Sequence, residues 1–281
     1  MTWLKKIIHS IVFGAANSVL GKTLARVANR LRPPSPVAVR VGDHTFFSQR
    51  PDRILALYLL KWGANEDAER KLFASRVKKD WTVIDIGANL GCYALLASGL
   101  VGDKGNVIAF EPDAENCSMI ERAIQNNGIT NVSIRREAVS DLSGPSYLYL
   151  SAEHGGDHSL YDPGEGRIRQ RIDSVRLDDV IEAGERVHLI KMDIQGSETK
   201  ALRGMSRVIQ ENPDLIMFIE FSPEDLRQAG SSADEFWALI KELGFKADYI
   251  DEKNGTTIQK SFAELVAICS HQGYVNLFCH H

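Results

Sequence analysis

The chain has 281 residues, 44% of them hydrophobic and 25% charged, with 22 glycines, nine prolines and a formal net charge of −4. This ordinary globular usage excludes collagen-like, low-complexity and wholly disordered chains, and the mild acidity gives no footing for a nucleic-acid partner. No acidic residue precedes Asp43, whereas Lys5, Lys6, Lys22, Arg26, Arg30, Arg32 and Arg40 all do, so the start differs in kind from the rest.

In that start, Leu4, Ile7, Ile8, Ile11, Ala15 and Val19 recur at helical spacing, with the cations mostly off the stripe. Pro33, Pro34 and Pro36 then stop the helix. Residues 1–36 read as a basic amphipathic helix and Pro-rich linker. Residues 1–31 either touch an anionic membrane surface peripherally or pack on their own domain. Residues 16–23 fit a relaxed phosphate-loop pattern, but Asn, Ser, Val and Leu fill the loop where glycines are needed, which marks a chance match. No apolar run approaches the ~18 residues of a spanning helix. Cys92, Cys117, Cys269 and Cys279 form no Cys-x-x-Cys pair, which points to a reduced, cytoplasmic chain.

From about residue 80, strands alternate with helices. Strand-like runs fall at 81–86, 105–110, 132–134, 187–193, 215–220 and 274–278, with helical patterns at 92–100, 113–126 and 233–243. The alternation predicts an α/β, doubly wound, Rossmann-like sheet, mostly parallel, with an antiparallel strand near the C-terminus. Ligands bind such sheets beyond the carboxyl ends of the strands. Acidic residues collect at those ends: Asp85, Glu111, Asp193 and Glu220. The loop Gly87-Ala-Asn-Leu-Gly91 permits close backbone approach to a ligand, and Glu111, 24 residues after Gly87, is placed to accept ribose hydroxyls. The pattern is not Gly-x-Gly-x-x-Gly, so a pyrophosphate-bearing dinucleotide is disfavoured. A carboxylate-rich pocket without phosphate-binding glycines suits a cationic, phosphate-free nucleoside, S-adenosylmethionine.

Three blocks together, Val83-Ile-Asp-Ile-Gly-Ala-Asn-Leu-Gly91, Val107-Ile-Ala-Phe-Glu-Pro-Asp113 and Ile190-Lys-Met-Asp-Ile-Gln-Gly-Ser-Glu198, resemble the FkbM family of S-adenosylmethionine-dependent class I methyltransferases. The resemblance runs over roughly residues 52–279 and makes 37–281 the methyltransferase domain, with the cofactor core from about 80 and an acceptor-lid insertion at about 142–176. It implies that Asp85, Gly87, Ala88, Asn89 and Gly91 line the methionine portion of the cofactor. Glu111 would hold the ribose, with Pro112 beside the adenine, while Ala138, Ser140 and Asp141 border its edge. Asp193 would lie nearest the reacting methyl. The chain departs from the family at Gln195, where Glu is usual, which weakens a proton-accepting or metal-binding role there.

The implied reaction is methyl transfer to a hydroxyl of a sugar, glycan or secondary metabolite, a small-molecule or glycan acceptor. A non-catalytic cofactor-binding scaffold is the alternative. An alcohol must lose its proton as the bond forms, and the candidate bases are Asp193, His158, His154 and Glu220. Both histidines lie in the glycine-rich stretch 151–171, read as a mobile lid. Metal-free catalysis is expected, since no dense Asp/Asn cluster accompanies Asp193 and Glu220. The oligomeric state has no signature.

Overall fold

The computed structural model describes residues 32–61, 67–151, 158–164 and 167–281. The helix expected over residues 1–31, the phosphate-loop-like stretch 16–23 and His154 lie outside the described residues.

A hairpin opens the described chain. β1 (Val37–Val41) and β2 (His44–Ser48) pair antiparallel around Gly42, whose φ of +58° suits glycine. Two helices follow, α1 (Pro51–Lys61) and α2 (Asp67–Arg76). The alternating core runs β3 (Thr82–Ile86), α3 (Cys92–Val101), β4 (Asn106–Phe110), α4 (Ala114–Asn127), β5 (Val132–Arg135) and β6 (Glu137–Val139). Next come β7 (Gly144–Leu150), β8 (Ile168–Val175), α5 (Leu177–Val180), β9 (Leu189–Met192), α6 (Glu198–Arg203) and α7 (Ser206–Glu211). The chain closes with β10 (Ile216–Phe221), α8 (Pro223–Gln228), α9 (Ala233–Glu242), β11 (Lys246–Asp251), β12 (Thr256–Gln259), α10 (Phe262–Gln272) and β13 (Val275–His280).

The main sheet has the order β12-β11-β13-β10-β9-β3-β4-β5. Strands β5, β4, β3, β9 and β10 are parallel, and β13 lies antiparallel between β10 and β11. This is the expected doubly wound sheet. The chain order reverses between β3 and β9, which opens a crevice at their carboxyl ends.

Alternation within the central strands supplies both faces of the core. Val83, Leu189, Ala109 and Phe218 enter one buried cluster, while Ile84, Ile86, Ile190, Met192 and Ile219 enter the other. Burial on both faces explains why these strands read as continuous apolar runs. By the same alternation, Asp85 and Lys191, register partners on β3 and β9, share the Val83–Leu189 face beneath α2 and α3.

The six expected core strands stand within a few residues of their expected bounds, whereas β1, β2, α1, α2, β11 and β12 are additions to the expected elements. The stretch expected as a loop over 151–171 ends earlier. Ile168 already pairs with Leu150, and β7–β8 join β6 in a second sheet of order β6-β8-β7. Its strand character was hidden because β8 is Ile-Arg-Gln-Arg-Ile-Asp-Ser-Val, with only Ile172 and Ser174 turned fully inward. No helix among the described residues is long and apolar enough to cross a membrane.

Candidate active site

A cavity of about 270 Å³ opens where the sheet order reverses. Its floor is the strand ends: Asp85 and the loop Gly87–Leu90 after β3, Glu111 and Pro112 after β4, and Lys191, Asp193 and Gln195 at the end of β9. One wall comes from the second sheet through Ala138, Val139 and Leu148. The roof comes from α1 and α2 through Arg53, Leu57, Leu60 and Arg70. Gly87 and Glu111, expected to contact the cofactor from two different strand ends, thus line one space.

Gly87 has φ +82°, and a Cβ there would strike the Asp193 carbonyl. The glycine therefore lets the exits of β3 and β9 cross in contact. Gly91 at φ +79° caps α3, and a Cβ would press on Leu95 and Ile120 at 3.1–3.3 Å. It serves helix packing and does not line the cavity. Asn89, at φ 57°, turns its backbone N–H onto Glu111 Oε2 at 2.7 Å. Glu111 Oε1 accepts from the backbone N–H of Asp113 at 2.9 Å and from Asn116 at 3.3 Å. The Gly-Ala-Asn loop and the end of β4 are thereby locked together through one carboxylate.

Burial pushes the Asp85 carboxyl up to about 7, with Lys191 opposing the rise, and pushes Glu111 up to about 7 against the backbone donors that hold it. Such acids take up protons near neutrality unless a cation or donor compensates. Lys191 supplies part of that compensation: its Nζ lies 2.8 Å from Glu69 Oε1, and Tyr93 donates to Glu69 Oε2 at 2.9 Å. Glu69, fully buried on α2, is held in turn because Glu252 caps that helix through the backbone N–H groups of Ala68 and Glu69. Two buried acceptors on the cavity wall, Asp85 Oδ2 and Asn89 Oδ1, have no hydrogen-bond partner.

Asp193 lines the cavity, and its Oδ1 accepts from Gln195 Nε2 at 2.9 Å. The same amide nitrogen donates to Glu220 Oε1 at 3.1 Å. Gln195 thus bridges two carboxylates, and Glu220 acts on Asp193 through it from outside the cavity lining. Glu198 also stays out of the cavity. Burial pushes it up to about 7, and its Oε1 accepts from the backbone N–H of Ile194 and of Gly196, both at 3.2 Å, closing the turn after β9.

His158 lines the cavity, but both ring nitrogens are engaged. Nδ1 accepts from the Ser151 backbone N–H at 3.0 Å, and Nε2 lies 3.2 Å from Asp113 Oδ2. Burial lowers its pKa despite Asp113, so the ring is neutral with Nε2–H donating. That leaves no lone pair to take a proton, and His158 ties the end of β7 to the start of α4. Ala138 and Pro112 line the cavity. Ser140 and Asp141 do not: Ser140 pairs with the Val175 carbonyl and lies under Gly204. Among the described residues no group of three or more His, Cys, Asp or Glu side chains is arranged to hold a metal ion.

The family model described as the methyltransferase FkbM domain matches residues 85–247, more than half of the chain. The chain belongs to the FkbM methyltransferase family. A curated relative, the hexuronic acid methyltransferase AglP of Haloferax volcanii, is 25% identical over 184 residues, covering 64% of this chain and 73% of that protein. Among solved structures, a SAM-dependent methyltransferase from Aquifex aeolicus is 15% identical, covering 76% of this chain and 88% of that one, at a TM-score of 0.43. A precorrin-6y C5,15-methyltransferase from Geobacter metallireducens is also 15% identical, covering 75% and 88%, at a TM-score of 0.43.

As an FkbM methyltransferase, the chain is an S-adenosylmethionine-dependent enzyme, and the cavity residues fit that cofactor. The orphaned acceptors on Asp85 and Asn89 call for a cationic donor, Glu111 offers its carboxylate to hydroxyls, and Phe110, Val139, Leu148 and Leu160 give an apolar slot for a flat base. Arg53, Arg70, Tyr93 and Lys191 also line the cavity, and none of them is among the site residues expected from sequence. Only Lys191 carried a signal, a lone cation inside an apolar strand.

Proposed function

We propose that this FkbM methyltransferase transfers a methyl group to a hydroxyl of a sugar or glycan, with Asp193 as the group that takes the acceptor proton. The observation that carries the reading is the single cavity shared by Asp85, Glu111 and Asp193 at the switch point of the sheet. S-adenosylmethionine supplies an electrophilic methyl on a sulfonium when bound. Around it, Glu111 would grip the ribose, Asp85 and Asn89 would receive the ammonium, and Ala138 with Pro112 would flank the base. Methyl transfer is an in-line displacement, so the remaining task is to place an oxygen opposite the methyl and remove its proton. Asp193 lies on that wall, oriented by the Gln195 amide and, behind it, by Glu220.

A sugar acceptor is supported by the relative named for a hexuronic acid. A non-catalytic scaffold is not favoured by membership of a methyltransferase family. The four cysteines are all unpaired, which supports a reducing compartment such as the cytoplasm.

Calorimetry with S-adenosylhomocysteine tests the cofactor half. Glu111→Gln should weaken binding by about 10- to 100-fold, the worth of hydrogen bonds to a charged group. Binding unchanged by that substitution would remove Glu111 from the site. In a labelled-methyl assay on sugars, Asp193→Ala should abolish product while S-adenosylhomocysteine still binds.

A further inference from the structure

Two buried arginines sit three residues apart at the start of α1, each only 5% exposed. Arg50 is committed to the fold: one terminal nitrogen donates to the Ser151 carbonyl at 3.2 Å, the other lies 3.4 Å from His158, and Nε is 3.7 Å from Asp52. Arg53, close to one turn further on, lines the cavity. Its Nε is buried with no hydrogen-bond partner. Asp52, Glu111 and Asp113 act on it through space, without a bond to it.

A buried, unbonded guanidinium opposes folding, because a charge loses its water and gains little in return. Its neighbours Ala56 and Leu57 on the same helix line the cavity with apolar groups, so an aliphatic side chain would serve packing at least as well. An Nε–H that no protein group satisfies, beside a terminal N–H, is the fork that receives a carboxylate in two parallel hydrogen bonds. The cavity cation from the strand ends, Lys191, is held by Glu69.

The geometry points to an acceptor that carries a carboxylate, with the Arg53 guanidinium as its anchor and a uronic-type acidic sugar as the substrate class. The inference rests on the methyl-transfer reading above. The cofactor has a carboxylate of its own, but its amino-acid end belongs by that reading near Asp85 and Asn89. Arg53 instead feels Glu111 and Asp113 through space, and Glu111 is the acid that the same reading gives to the ribose. The division of charge is consistent: carboxylates from the strand ends attract the cationic cofactor, and a cation from the roof attracts an anionic acceptor.

The test uses D-glucuronate and D-glucose titrated into the full chain saturated with S-adenosylhomocysteine. Glucuronate should bind at least about tenfold more tightly than glucose, and Arg53→Gln should erase that preference while S-adenosylhomocysteine affinity stays within about twofold. Arg53→Lys, which keeps charge but not the fork, should fall between the two. Equal behaviour of the two sugars in the unsubstituted chain, including no binding by either, overturns the proposal even if Arg53→Gln does not fold. A tenfold or greater loss of S-adenosylhomocysteine affinity in Arg53→Gln, with 5′-methylthioadenosine unaffected, also overturns it by assigning the guanidinium to the cofactor's carboxylate. If S-adenosylhomocysteine fails to bind the unsubstituted chain, the methyl-transfer reading fails instead, so the two failures are separable.

Discussion

The floor and the roof of the cavity are built on different principles. The floor is made of strand ends whose side chains are fixed by the sheet: Asp85 is the last residue but one of β3, and Glu111 and Asp193 follow β4 and β9 directly. The roof is made of α1, α2 and residues around His158, which lie far apart in sequence and meet through buried charges. Short-range rules of sheet topology place the floor, whereas long-range pairing places the roof.

The junction of the two regions is the Lys191–Glu69 pair, and breaking it should give the largest effect. Lys191→Met leaves Glu69 and Asp85 buried without their cation, which costs about 3–5 kcal/mol when one partner of a buried pair is removed. Denaturant melts of the unsubstituted and substituted chains should show that loss at pH 8 and a smaller one at pH 5, where Asp85 takes up a proton. An equal loss at both pH values would mean that Lys191 serves Glu69 in the roof and not Asp85 in the floor.

How much was legible follows the same division. The strand bodies and the acids at their ends could be read because a parallel strand buried on both faces is a short continuous run, and its exit residue is fixed by position. Asp85, Glu111 and Asp193 could therefore be placed at one cavity from their positions alone. Gly91 and Glu198 belong to the same motifs but stabilise the loops, since spacing alone does not tell a glycine that packs from one that faces a ligand. Arg53 and Glu69 could not be found this way. Their meaning depends on helices packed over strands more than a hundred residues later in the case of Glu69 and Lys191, and a lone Arg or Glu on a helix reads as a solvated surface group. His158 shows a related gap: its residue type fits a base, but the sequence gives no sign of the two hydrogen bonds that engage both nitrogens.

The next effect in size concerns the floor alone. Asp85 and Glu111 both stand at about 7 through burial, above the usual carboxylate range. In the cofactor-free chain they hold protons between roughly pH 4 and 7 that the unfolded chain has lost, so their contribution to stability falls as pH rises through that window and is flat above it. A cationic ligand needs the ionised forms. S-adenosylmethionine affinity should therefore rise between pH 6 and 8, by about tenfold for each carboxylate that ionises on binding. Calorimetry across that range decides it. A flat profile would show that the floor is already ionised when empty.

The smallest effect is expected in the roof, at His158. Glutamine can copy both of its bonds, with the side-chain carbonyl accepting from the Ser151 N–H and the amide donating to Asp113. His158→Gln should therefore change stability by less than about 1 kcal/mol, the worth of one ordinary hydrogen bond, and leave kcat within about threefold. A general base is worth about 10²–10⁴ in rate, so a hundredfold fall in kcat with an unchanged melt would make His158 the base after all. The acidic limb of the kcat profile gives an independent reading. If Asp193 takes the proton, that limb survives in His158→Gln; if the imidazole does, it disappears, and the roof would then hold chemistry that we propose for the floor.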